Sequence, residues 1–196
     1  PRFNISYNAD RSKKLLDEAG WVMGANGIRA KGGAPLTLKL WTQNGTQFKR
    51  VTEVIQAQLK AVGVNAEITV HEPASINAQY RKKTDHQLAV RAYDYTNADI
   101  IDWFFSAARM GYPNVSMFND PKAEELNARA MKQSRTWEER VANFKVYHEY
   151  VLSQFPLAPI YQPTQSFAYS QTRLKLPDTI RGMKMATQSI MDIEVK

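Results

Sequence analysis

Residues 36–70 contain the feature that most constrains the fold, two alternating patterns separated by one amphipathic helix pattern. Three leucines alternate with other residues over 36–40, which is typical of a strand with one buried face. Apolar residues then recur at helical spacing over 47–62, and a second alternation follows over 64–70. A strand, a helix and a strand joined by short links predict a βαβ unit, with parallel strands and a right-handed crossover.

The same pattern continues beyond this unit. A third helix is predicted over residues 75–83, and a third strand over 88–92, so the chain begins as β-α-β-α-β and belongs to the α/β class. Before the unit, residues 7–21 predict a helix that Asn8 caps and Gly20 closes. The stretch between that helix and the first strand carries turn chemistry and is predicted to be a loop.

The second half is predicted to be richer in helices. Asn97 can cap one helix, and Asp120 followed by proline can cap the next. A capping box that starts at Thr136 opens a long helix, which Pro156 ends. The list of further predicted strands is 157–161 and 166–169. The pattern weakens from residue 171 onwards.

Composition and motifs exclude several function classes. The chain has no cysteine, and its three histidines lack metal-ligand spacing, so neither a metal nor another cofactor is predicted. No nucleophile motif, P-loop or dinucleotide-binding motif is present, which argues against an enzyme. The net charge of +7 raises nucleic acid as a partner, but the cations are dispersed and the densest run, 81–83, lies at a predicted helix end.

Three stretches carry a family resemblance: 7–21 together with 27–40, then 54–64, and finally 139–161. In this order they resemble the C-terminal lobe of family 5 solute-binding proteins of ABC importers, which bind peptides, nickel, opines or oligosaccharides. The resemblance implies a type II periplasmic-binding-protein-like lobe over residues 1–170 and a tail over 171–196 that returns to a larger lobe. That larger lobe is absent from this chain, which fits its start at Pro1 without an initiator methionine.

The resemblance also implies a function and a location. It implies an extracytoplasmic or periplasmic binding protein, without enzymatic activity, which acts as a monomer and passes its solute to permease subunits in the membrane. Nucleic acid is not a partner on this interpretation. Two alternatives stay open: an α/β enzyme domain that uses acids near Asp99, and a basic module that binds nucleic acid or an anionic surface.

Ligands of open α/β folds bind at the carboxyl ends of the strands. The third strand end is the richest in aromatic and charged residues, and the first contributes a tryptophan. The candidate ligand-binding residues are Asp99, Tyr93, Arg91, Trp103, Trp41, Asp94, Asn97 and Tyr95. In the resemblance, Asp99 matches the acid that binds a peptide amino terminus, and Tyr93 stands where the family usually has tryptophan. Isoleucine follows Asp99 where the family often has proline, so an oligosaccharide or an opine-like solute remains an alternative to a peptide.

Each candidate also has a purely structural interpretation. Asp99 lies in a predicted first helical turn, where an acid is favoured by the helix dipole alone. Trp103 is spaced for core packing, and Arg91 can be a solvated sheet residue or a partner of Asp94 or Asp99. Weaker candidates lie in the loop that contains Tyr112 and Asn114, which could line the cleft.

Overall fold

A computed structural model of the chain describes residues 6–82, 85–93, 100–161, 168–176 and 193–195. The helices are α1 (Ala9–Glu18), α2 (Thr46–Ala61), α3 (Pro73–Arg81), α4 (Ile100–Phe105), α5 (Pro121–Ala128) and α6 (Trp137–Ser153). The strands are β1 (Val22–Met23), β2 (Arg29–Lys31), β3 (Ala34–Pro35), β4 (Thr37–Gln43), β5 (Asn65–His71), β6 (Leu88–Ala89), β7 (Leu174–Lys175) and β8 (Glu194–Val195). A short 3-10 helix covers Ala107–Arg109, and a π-helical turn covers Arg129–Gln133.

The central sheet has the order β5-β4-β6, and β4 pairs in parallel with both neighbours. This confirms the predicted β-α-β-α-β unit. The third strand is shorter than predicted, because ladder pairing covers only Leu88 and Ala89, although the Val90 N–H still donates to the Trp41 carbonyl at 2.8 Å. The carboxyl ends of the three strands therefore lie at one edge of the sheet.

The predicted ends of the first two helices are confirmed by their hydrogen bonds. After α1, the Trp21 N–H donates to the Leu16 carbonyl at 2.9 Å, and Gly20 adopts a positive φ of 83°. After α2, the Val64 N–H donates to the Leu59 carbonyl at 3.0 Å across a glycine with the same handedness. Both ends are Schellman motifs, which satisfy the last helical carbonyls.

The helical half begins its elements as the sequence indicates. The Asp120 carboxylate accepts the Ala123 N–H at 2.8 Å, and the Thr136 hydroxyl accepts the Glu139 N–H at 3.1 Å. The second half of the capping box differs, because the Glu139 carboxylate accepts the N–H of Arg135 rather than that of Thr136. The cap of α4 predicted at Asn97 lies outside the described residues.

Two predictions about strands are wrong. Residues 157–161 form no strand, and among the described residues of 166–169 none is in a strand either. Pro156 and Pro159 lack the N–H that a ladder needs. Conversely, the stretch predicted to be a loop before β4 contains β1, β2 and β3, which form a small antiparallel sheet.

Three apolar cores hold these elements together. One face of the central sheet packs against α2, and the opposite face packs against α3, while the third core lies among the helices of the second half. The most buried members are Leu40, Ala66 and Val90 in the first core, Trp41, Ile76 and Tyr80 in the second, and Ala130, Tyr147 and Val151 in the third. No helix among the described residues is long and apolar enough to cross a membrane.

Candidate functional site

The candidate site begins at the carboxyl edge of the central sheet. Gln43 ends β4 and lies in register with His71, which ends β5. Arg91 follows β6, two residues beyond Ala89, which is in register with Trp41. Because the strands are parallel, polar side chains from all three ends meet at this edge.

Arg91 is the centre of a hydrogen-bonded cluster at that edge. Its guanidinium donates to the Asn77 amide oxygen at 3.0 Å, and to the Gln43 amide oxygen and the Tyr93 hydroxyl at 3.4 Å each. The guanidinium carbon also lies 5.3 Å from the ring centroids of both Tyr80 and Tyr93. These contacts fix the orientation of a half-buried cation, but every partner is neutral, so they leave its charge uncompensated.

Tyr80 forms the floor beneath Arg91. Its side chain is fully buried, and burial raises the pKa of its phenol to about 12 against the opposing effect of the Arg91 charge. The ring of Tyr80 thus presents a neutral aromatic face to the cation across the pH range in which proteins normally work.

Trp41 lies inside the core rather than on the open edge. Only 6% of it is exposed, and its ring lies 4.3 Å from the His71 ring and 4.8 Å from the His86 ring, measured between centroids. The structure therefore brings Trp41 near the candidate site as packing beneath it. Its role in ligand binding stays a prediction.

The other two strand ends carry a smaller polar pair. The Asn44 amide donates to the Glu72 carboxylate at 3.0 Å, and both side chains are exposed. This contact joins the segment after β4 to the segment after β5, so it ties together the rim beside the Arg91 cluster.

On the other side of Arg91, aromatic contacts lead to α4. The rings of Tyr93 and Phe104 lie 4.2 Å apart between centroids. The neighbouring Trp103 is 46% exposed, and the Arg109 guanidinium carbon lies 5.0 Å from its ring centroid. The predicted residues Arg91, Tyr93 and Trp103 are therefore linked by contacts along one region of the surface.

Four predicted site residues, Asp94, Tyr95, Asn97 and Asp99, lie outside the described residues. Their part in the site stays a prediction.

The loop after α4 does not line a cleft through Asn114, which is fully buried. Its amide group donates to the carbonyls of Ser106 and Phe118 at 3.0 and 2.8 Å, and its side-chain oxygen accepts from Ser116 and from the Phe118 N–H. The weaker candidate Asn114 is thus a structural residue that closes the loop on itself.

Tyr112 in the same loop packs against the core of α3. Its ring lies 5.0 Å from the Arg81 guanidinium carbon. This contact occupies one face of the Tyr112 ring.

Sequence reasoning missed the partners that hold Arg91, namely Gln43 and Asn77. A signal existed for Asn77, because it lies three residues before Tyr80 on the same side of α3. The Gln43 contact spans 48 residues along the chain, so only the strand register reveals it. Among the described residues, no group of three or more histidine, aspartate or glutamate side chains could hold a metal ion.

Comparisons with known proteins agree on one family and one fold. The model of the bacterial extracellular solute-binding proteins, family 5 Middle, matches residues 1–112. The nickel-binding periplasmic protein of Escherichia coli (strain K12) is 34% identical over 77 residues, which are 38% of this chain and 15% of that protein.

Two solved structures illustrate the likeness in fold. A mannohexaose-bound periplasmic oligopeptide-binding protein of Thermotoga maritima matches with a TM-score of 0.75 and 19% identity, over 98% of this chain and 40% of its own. The oligopeptide-binding protein AppA of Bacillus subtilis, in complex with a nonapeptide, matches with a TM-score of 0.68 and 22% identity, over 77% of this chain and 31% of its own. This likeness confirms the predicted type II periplasmic-binding-protein lobe, and the chain spans less than half the length of these relatives.

Proposed function

The chain belongs to family 5 of the bacterial extracellular solute-binding proteins, and on this premise we propose that it forms one solute-contacting lobe of a receptor for an ABC importer. The receptor captures a peptide or a small oligosaccharide or opine-like solute outside the cytoplasm and delivers it to the permease subunits. Membership in a family of transport binding proteins agrees with the prediction that the chain is not an enzyme.

The observation that carries this proposal is the Arg91 cluster at the carboxyl edge of the sheet. A cation that is oriented by two amides and two phenol rings, and neutralised by none of them, is ready to bind a carboxylate or several hydroxyls. Such groups occur in all three proposed solute classes. The relatives bound to a nonapeptide and to mannohexaose support keeping both a peptide and an oligosaccharide in the proposal.

We further propose that the residues predicted from the sequence form the contact surface of this lobe. Arg91 and Tyr93 supply the polar groups, Trp103 supplies an apolar face, and Trp41 supports the edge from below. Asp94, Tyr95, Asn97 and Asp99 complete the proposed set. The second half of the cleft comes from the remainder of a longer, monomeric, periplasmic protein, with residues 171–196 returning to that larger lobe.

Neither alternative function has a comparable supporting observation. Several described cations are paired with acids, as in Lys39 with Asp85, Arg109 with Asp102 and Lys122 with Glu125. Pairing of this kind reduces the positive potential that nucleic-acid binding requires. An enzyme domain would depend on Asp99, which lies outside the described residues.

Thermal-shift screening of the full-length protein against peptide, oligosaccharide and opine panels tests the proposed function. A solute at about 100 times its dissociation constant is expected to stabilise the protein by about 2.7 kcal/mol. A compound that shifts the Arg91→Met variant equally binds elsewhere. The proposal is contradicted when no member of any panel stabilises the protein.

A further inference from the structure

Trp103 is an exposed aromatic residue whose ring is held in place from one side. Its exposed fraction is 46%, and the Arg109 guanidinium carbon lies 5.0 Å from the ring centroid. This distance is within the range of a cation–π contact. Arg109 therefore covers one face of the indole, and the exposed surface belongs to the opposite face and the edge.

Arg109 is itself fixed by several contacts. Its Nε donates to the Asp102 carboxylate at 3.2 Å, and the other oxygen of that carboxylate accepts from the Asn127 amide at 2.5 Å. Asn127 is 6% exposed and belongs to α5. The Arg109 carbonyl accepts the N–H of the buried Asn114 at 3.1 Å. The cation behind the ring is thus anchored to two elements of the helical core.

This arrangement orders the Trp103 ring before any ligand arrives. A side chain that is already held in one orientation loses little conformational entropy on binding, which strengthens the contacts it makes. Trp103 also precedes Phe104, whose ring contacts Tyr93 beside Arg91. The ordered indole therefore adjoins the strand edge at which the solute is proposed to bind.

The charge of Arg109 restricts what can stack on the open face. A cationic group placed there would face a second cation across the thickness of one aromatic ring, and Arg91 adds a further positive charge nearby. A neutral group does not meet this repulsion. A pyranose ring fits best, because its C–H face can cover the indole while its hydroxyls reach the polar groups of the strand edge.

We propose that Trp103 is the stacking platform for a neutral sugar ring, so that the solute of this lobe is an uncharged oligosaccharide. This inference rests on the proposed function and makes it specific, because it selects one of the solute classes. It also assigns Arg109 as a positioning residue, which acts on the solute through the indole.

The test uses isothermal titration calorimetry on the full-length protein with three probes: mannohexaose, the glucosamine hexamer that carries ammonium groups, and a neutral hexapeptide. We expect mannohexaose to bind most tightly. The Trp103→Ala variant should bind it about tenfold more weakly or worse, and Trp103→Phe should retain most of the affinity. The matched control is Trp137→Ala, which removes another tryptophan that is 72% exposed, and which should leave the affinity unchanged.

The melting temperature of each variant separates a lost contact from a lost fold, and Trp103→Ala should melt within a degree or two of the parent. Binding of mannohexaose that Trp103→Ala leaves within twofold overturns this inference alone. Preference for the glucosamine hexamer or for the peptide also overturns it, and leaves the proposed function intact. Failure to bind any probe, together with failure of the wider panels, overturns both.

Discussion

Arg29 and Arg91 are both held by hydrogen bonds at strand ends, but the two regions hold them for different purposes. Arg29 is 3% exposed, and its guanidinium binds the Val62 carbonyl at 2.8 Å, the Trp21 carbonyl at 2.6 Å and the Asp17 carboxylate at 2.5 Å. These partners satisfy and neutralise it. Arg91 is half-buried, and its partners at the sheet edge orient its charge without neutralising it.

The comparison shows how the kind of partner separates a structural cation from a binding cation. Carbonyls at helix ends carry partial negative charge, and a carboxylate carries a full one, so Arg29 joins the ends of α1 and α2 to β2. Amide oxygens and phenols give direction with little charge, so Arg91 retains the capacity to bind an anionic or hydroxyl-rich solute.

The largest expected effect comes from breaking the structural member of the pair. Arg29→Met should lower the free energy of unfolding by about 3 kcal/mol, because it leaves buried carbonyls without a donor. Urea denaturation measures the change. The matched control is Lys31→Met in the same strand, where the cation is exposed and the expected change is about 0.5 kcal/mol or less. Equal losses in both variants would contradict the structural role of Arg29.

Asn114 is the counterpart of Arg29 in the second half of the chain. Asn114→Ala should destabilise the protein by about 2 to 3 kcal/mol, because four hydrogen bonds to a fully buried amide are lost together. Urea denaturation again measures the loss, and the exposed Asn119→Ala provides the control. A loss no greater than that of the control would show that the loop does not depend on this amide.

Alkaline pH tests the burial beneath Arg91 and its equivalent in the helical core. Burial raises the pKa of Tyr80 to about 12, and burial with the charges of Asp102 and Glu124 raises the pKa of Tyr147. Unfolded tyrosine titrates near pH 10, so above that pH the unfolded chain releases protons that the folded chain keeps. Stability should be unaffected by these groups below pH 10 and should fall above it by about 1.4 kcal/mol per pH unit for each tyrosine.

Denaturation between pH 9 and 11.5 measures this slope. Tyr80→Phe and Tyr147→Phe should each reduce it, whereas Tyr7→Phe, at a side chain that is 73% exposed, should not. A slope that is the same in all three variants would be inconsistent with burial as its cause.

The sequence predicts the local features of this fold well, because they depend on neighbouring residues. The Schellman ends at Gly20 and Gly63, the cap at Asp120 and the parallel unit around β4 all follow from spacing within about 35 residues. Arg29 has no such signal, because it lies in a glycine-rich stretch and its partners come from three separate segments.

The site follows the same division. Its position at the strand ends, and the candidates Arg91, Tyr93 and Trp103, come from the order of the strands. The contacts that orient Arg91 and Trp103 come from α3, from the end of β4 and from the turn at Arg109. Such contacts depend on tertiary packing, which no local pattern specifies. The strands wrongly predicted over residues 157–161 show the converse, since an apolar alternation was outweighed by two prolines.

The most direct test of the central claim is the affinity of the full-length Arg91→Met variant for a solute that stabilises the parent protein. Calorimetry should show binding weakened about tenfold or more, because the solute loses charged hydrogen bonds, while the melting temperature stays close to that of the parent. Lys31→Met, which removes an exposed cation away from the strand edge, should bind like the parent. Unchanged affinity in Arg91→Met would contradict the assignment of this edge as the solute-binding site.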